Sequence, residues 1–322
     1  MGWREALADY LAAKLPSAEA VEVVNVQGMP AGASNDTVGF DARVHAEGDT
    51  FDVPLILRPE RPDGILAPYD VSAQFRVMRA LASTPVPVPS VAWYEPDASV
   101  LGARFFIMQR VRGETLPLFW YGRSPRLDAA ASALAAVHAV DWRAAGLSFL
   151  LPRAEAALTP TDSELAAWRS RAERLRIARA PLLVALGEWL RANEPADARL
   201  ALLHGDPNPG NYLFRGNDVV AVLDWEVAGI GDPRADLGFY AGLHTVFGGL
   251  GMPGSRTLLS DAYEGVTGIP LRDLEYYEAG GLYRMAVVMA GWAGRFIGMG
   301  PGGTMDAISR RLSVILGPRW AA

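Results

Sequence analysis

Apolar and polar residues alternate with a period of two along VEVVNVQ (Val21 to Gln27), from Thr37 to about Ala46, and along FDVPLILR to Arg58. That period predicts three strands. Two more apolar runs, VAWYE and RFFIMQRV, bring the set to five. Ahead of them, Trp3, Leu7, Leu11 and Leu15 form one stripe of an amphipathic first helix. Between the third and fourth strands, Asp70 reads as the N-cap of a helix from about Val71 to Leu81, with Phe75, Met78 and Ala82 facing inward. The prolines of STPVPVPS then stop helix propagation. From Ser124 the period lengthens. Leu127 to Val140 reads as a helix, Ser163 to Asn193 as one or two helices broken near Pro181, and the region after Ser255 as three more. The pattern predicts an α+β protein with a small five-stranded antiparallel part at residues 1–110 and a larger, mostly helical part at 111–322.

One stretch breaks the helical pattern. Leu202 to Tyr240 reads LLHGDPNPGNYLFRGNDVVAVLDWEVAGIGDPRADLGFY. An apolar approach ends in His204-Gly205-Asp206, a Pro/Gly-rich loop leads to Asn211, and a strand–turn–strand delivers Asp224. Asp206 and Asn211 have the spacing of the Asp and Asn in the protein-kinase catalytic loop, and Asp224 follows a hairpin as the metal-binding Asp does there.

Composition narrows the partners. The chain has 322 residues, half of them hydrophobic, with a formal charge of −6, so no basic face marks a nucleic-acid partner. Without cysteine, disulfides and Cys-ligated zinc are excluded. The first residues lack a signal-peptide pattern, and the apolar run Leu282 to Ile297 is interrupted by Arg284 and Arg295. These features predict a soluble, cytoplasmic protein with no membrane partner. Of 30 basic residues only Lys14 is lysine.

His204, Gly205, Asp206, Asn211, Asp224, Trp225, Glu226, Gly231, Asp232, Pro233, Asp236 and Leu237 together resemble the aminoglycoside phosphotransferase-like family of small-molecule kinases. Tyr276 to Arg295 is similar to the kinase-like domains associated with acyl-CoA dehydrogenases. The resemblance implies a bilobal protein-kinase-like fold, with ATP and Mg²⁺ as cofactors and a small-molecule hydroxyl as acceptor. It makes the loop holding Gly32, Ser34 and Asn35 a nucleotide cover. It also implies that the Gln109 carbonyl and the Val111 amide hold the adenine, with Met108 lining the pocket or packing in the core.

Asp206 is then the base or positioner for the acceptor, and Asn211 and Asp224 are hard oxygen ligands suited to Mg²⁺. His204, Asp232 and Asp236 are expected to brace the loop. Two positions depart from the family. Arg58 stands where kinases place a phosphate-binding lysine, and Gln74 where its glutamate partner is expected. A nucleotide-binding pseudokinase is the rival reading. From Ser255 onward, acids and arginines balance, which does not favour a polycationic aminoglycoside as acceptor. Tyr276, Tyr283, Arg284, Trp292 and Arg295 either pack a helix or line a pocket for an apolar or anionic hydroxyl compound. An antibiotic-resistance kinase is the minority alternative.

Overall fold

The computed structural model describes residues 2–28, 37–61, 70–117, 122–152, 159–249, 255–292 and 301–320. They divide into two compact units, Met1–Ala82 with Val88–Arg112, and Ser83–Pro87 with Gly113–Ala322.

In the first unit, strands β1 (Ala20–Gly28), β2 (Val38–Ala46), β3 (Asp49–Pro59), β4 (Val91–Glu95) and β5 (Phe105–Gln109) form one antiparallel sheet in the order β1-β2-β3-β5-β4. Helix α1 (Trp3–Lys14) covers one face, seating Leu7, Tyr10 and Leu11 against Phe40, Leu55, Leu57, Phe105 and Ile107. Helix α2 (Val71–Leu81) packs Phe75 against Phe106 and Tyr94. Cover from both helices explains why β5 is an unbroken apolar run rather than an alternating one. The Asp70 carboxylate accepts from the amides of Ser72 and Ala73, so α2 starts where the sequence places it.

Two inward-facing assignments fail. Trp3 is 43% exposed, because Leu7, Tyr10 and Leu11 complete the buried stripe without it and its ring lies under Arg4 instead. Ala82 is exposed, lying just past the last helical residue.

The second unit holds α3 (Pro125–His138), α4 (Pro160–Arg174), α5 (Pro181–Ala192), α6 (Arg234–Gly249), α7 (Leu258–Thr267), α8 (Leu274–Trp292) and α9 (Pro301–Leu316). Proline opens α3, α4 and α5, where its missing N–H is no loss and its fixed φ suits the first turn. Ser124 and Thr159 cap two of these starts. Helix α4 begins three residues before the expected Ser163, because Thr159-Pro160 supplies both the cap and the first turn. Two short ladders interrupt the helices: β6 (Ala201–Leu203) with β9 (Gly229–Gly231), and the hairpin of β7 (Tyr212–Arg215) with β8 (Asp218–Val222). Helices α6 and α8 meet backbone to backbone. A Cβ on Gly281 would lie 2.1 Å from the Gly238 carbonyl oxygen, and one on Gly238 would lie 2.1 Å from that of Tyr277. No described helix is long and apolar enough to cross a membrane.

Candidate active site

Strand β6 leads directly into His204, and the loop beyond it is held from three directions. The Asp236 carboxylate, on the first turn of α6, accepts from the amides of His204 and Gly205, each at 2.9 Å. The Arg284 guanidinium, from α8, donates to the Gly205 carbonyl. Gly205 itself has φ +88°, and a Cβ there would lie 2.1 Å from the Val227 carbonyl oxygen, so only glycine fits. The His204 ring donates through Nε2 to the Leu223 carbonyl at 2.7 Å and accepts at Nδ1 from the Asp206 amide at 3.2 Å. That pattern fits a ring carrying its proton on Nε2, with both nitrogens committed to backbone. The ring is buried beside Trp225 and Tyr212. His204 therefore ties the loop to the end of the hairpin that delivers Asp224.

Asp206, Asn211 and Asp224 are brought together through the same backbone. Asn211 donates from Nδ2 to the Asp206 carbonyl at 2.8 Å, and its own carbonyl accepts from the Leu223 amide at 2.8 Å. Asp224 follows in the left-handed region, at φ 63° and ψ 55°. Aspartate visits this region more readily than most residues, and non-glycine residues held there concentrate at functional sites. One oxygen of the Asp206 carboxylate accepts from Nδ2 of Asn208 at 2.7 Å. Burial pushes the Asp206 carboxyl up, with the charge of Asp224 acting in the same direction and the His204 ring and the amides of Asn208 and Asn211 opposing it. For Asp236, burial also acts upward, but hydrogen bonding and charge from His138 outweigh it, and its carboxyl is held below the usual range. Asp232 accepts from the amides of Arg199 and Arg234 and from the Arg234 guanidinium, fixing the start of α6.

In the first unit, the Arg58 guanidinium donates to the Gln74 amide oxygen at 3.2 Å and to the Thr37 hydroxyl at 2.9 Å. Gln74 is buried, and its Nε2 has no hydrogen-bond partner among the described residues. Met108 is buried opposite Ile56, Gln109 ends β5 with an exposed side chain, and Val111 is half-buried. Gly32, Ser34, Asn35 and Arg295 lie outside the described residues, as does the side chain of Trp292.

Tyr276, Tyr283 and Arg284 are buried on α8. The Tyr276 hydroxyl donates to the Leu190 carbonyl and pairs with the Thr161 hydroxyl. Arg284 lies between the rings of Trp168 and Phe239, and also reaches Glu164 at 3.3 Å. A cavity of about 50 Å³ between α4 and the loop after β6 is lined by Glu164, Trp168, Arg171, Gly205 and Arg284 among others. Burial, aided by the charges of Asp236 and Asp232 and opposed by Arg284, pushes the Glu164 carboxyl up to about 7. Sequence reasoning missed Glu164 and Asn208. Glu164 could have been found as a charge four residues before Trp168, on the buried stripe of α4. Asn208 carries only the weak signal of an amide between two prolines.

A family model described as "Phosphotransferase enzyme family" matches residues 25–253. Acyl-CoA dehydrogenase family member 10 of Mus musculus is 30% identical over 198 residues, covering 58% of this chain. The chain spans only 18% of that protein's length. Among solved structures, a Ralstonia eutropha jmp134 protein assigned as an aminoglycoside phosphotransferase has a TM-score of 0.65 at 24% identity, covering 98% of this chain and 96% of that one. A thermostable mutant of an aminoglycoside phosphotransferase, in ternary complex with ADP and hygromycin B, has a TM-score of 0.59 at 18% identity, covering 97% and 98%. These likenesses show the bilobal protein-kinase-like fold.

Proposed function

The chain belongs to the phosphotransferase enzyme family whose model spans residues 25–253, and on that premise we propose ATP- and Mg²⁺-dependent transfer of a phosphoryl group to a hydroxyl of a small molecule. The observation that carries this reading is the convergence of Asp206, Asn211 and Asp224 on one backbone-linked loop and hairpin. In the transfer, the acceptor oxygen bonds to the γ-phosphorus as the bond from that phosphorus to the bridging oxygen of ADP breaks. The hydroxyl proton passes to the Asp206 carboxylate. Its burial suits it to hold that proton, because burial disfavours the charged form.

Asn211 and Asp224 are the residues that would hold Mg²⁺, which when bound neutralises charge on the transferring group. Both offer hard oxygen donors. Among the described residues no group of three or more His, Cys, Asp or Glu side chains gathers to hold a metal. Mg²⁺ is commonly held by one or two protein oxygens, with water and substrate phosphate oxygens completing its shell. In the first unit, Arg58 supplies positive charge for the phosphates, and the Gln74 Nε2, unpartnered among the described residues, is a buried donor suited to an anion. We assign nucleotide contacts to residues 1–110, through Gly32, Ser34, Asn35, Arg58, Gln74, Met108 and Gln109, and to Val111 just beyond them. Metal, base and acceptor belong to residues 111–322. His204, Asp232 and Asp236 keep the loop in place.

For the acceptor, a relative named as an acyl-CoA dehydrogenase and the buried arginines of the second unit favour an acyl or other anionic hydroxyl compound. The Arg58–Gln74 pair, which lacks a carboxylate, is what favours the second reading of nucleotide binding without transfer.

Calorimetric titration of Mg²⁺ with a non-hydrolysable ATP analogue tests the site. Metal-dependent binding in the wild type, lost in Asp224→Ala, is the expected result. No binding to the wild type would remove the phosphotransferase reading.

A further inference from the structure

Asn208 has no assigned role, yet it lies at the centre of the loop. It is 2% exposed and sits between Pro207 and Pro209 with extended backbone, φ −61° and ψ 137°. Its carbonyl accepts from the Asn211 amide at 2.8 Å. Its side-chain Nδ2 donates to Oδ1 of Asp206 at 2.7 Å. The other end of the same amide, Oδ1, is buried without a hydrogen-bond partner among the described residues. Leaving a buried acceptor unmade is unfavourable, typically by about 1–3 kcal/mol. A small apolar residue would shape a proline-flanked loop without that penalty, so loop shape alone does not account for an amide here.

From this geometry we propose that Asn208 is a positioning residue that selects which oxygen of Asp206 faces the acceptor. A carboxylate turns about its last torsion in a broad, roughly two-fold well, so nothing intrinsic distinguishes its two oxygens. The Asn208 donor occupies Oδ1 and leaves Oδ2 to take the acceptor proton. The flanking prolines fix φ on either side of the amide, so the donor is set before any acceptor arrives. A neutral donor does this without adding a charge beside Asp206 and Asp224. The proposal rests on the phosphotransferase reading, in which Asp206 receives that proton.

Two measurements on the 322-residue chain test it. In ¹⁵N-labelled protein, the side-chain amide signal missing from Asn208→Ala identifies Asn208. In Asp206→Ala that signal should move upfield and exchange faster with solvent, and an unmoved signal would overturn the proposal. The second is Mg²⁺-dependent ATP hydrolysis, with water as the acceptor, in wild type, Asn208→Ala and the near-isosteric Asn208→Asp. Both variants should lose kcat by roughly 10- to 100-fold, with KM for ATP within about twofold of wild type. Wild-type kcat in a folded Asn208→Asp, or a loss confined to KM, would overturn it. If the wild type shows no turnover with water, the amide signal alone decides whether Asn208 holds Asp206, and the Mg²⁺–ATP analogue titration separately decides the phosphotransferase reading.

Discussion

At residue 205 the backbone can be occupied by one amino acid only. A methyl group there meets the Val227 carbonyl oxygen at 2.1 Å and must also adopt φ +88°. Gly205→Ala should therefore cost roughly 3 kcal/mol or more, read as a lower urea midpoint, and a midpoint equal to wild type would refute the geometry. Arg58 makes a different prediction. Arg58→Ala should weaken binding of a Mg²⁺–ATP analogue about tenfold, since a hydrogen bond to a charged group is typically worth about 1.5–3 kcal/mol; unchanged affinity would remove Arg58 from the nucleotide site. These two residues also mark how far the sequence could be read. His-Gly-Asp, Asn211 and Asp224 were legible because their spacing is local. The Arg284 bond to Gly205 was not, because it joins positions 79 residues apart and depends on helix packing that no short motif encodes.

Strand and helix identities were legible wherever one face is dry. Helix α2 and strands β2 and β3 fall where their periods place them. The short β9 was not, since Gly229–Gly231 has no apolar pattern and pairs only because β6 lies beside it. Helix α4 shows what such local readings leave out. It presents Glu164 toward Arg284, with Asp232 and Asp236 contributing charge nearby. The Glu164 carboxyl is raised from 4.5 to about 7, so the folded chain keeps a proton that the unfolded chain releases. Its contribution is full below about pH 4.5 and is lost as pH rises to about 7. Glu164→Gln should remove this dependence. Relative to wild type, the variant should gain stability between pH 5 and pH 8 by roughly 1–3 kcal/mol, and urea unfolding at the two values showing a constant difference would contradict it.

Across the whole molecule, charge is the property that bears on the acceptor. The chain carries −6 overall, but its last 68 residues hold acids and arginines in balance, with Glu278 enclosed by Arg256 and Arg311. A polycationic drug gains little from such a surface. Expression in a sensitive bacterial host should leave the inhibitory concentration of kanamycin-type drugs unchanged, and a clear rise would reverse the preference for an anionic or apolar acceptor.

The backbone contact between α6 and α8 works in effect as a caliper. Its two jaws are Asp236, two residues before Gly238, and Arg284, three residues after Gly281, and they grip the N–H and the C=O of the same residue, Gly205. Replacing a helical glycine with alanine is a common stabilising step for protein engineers, usually worth about 0.4–1 kcal/mol. Here Gly281→Ala would wedge the helices apart and open the jaws. The expected result is a lower melting temperature together with, on the proposed function, slower ATP turnover, so a routine attempt at thermostabilisation would here loosen the loop that carries Asp206.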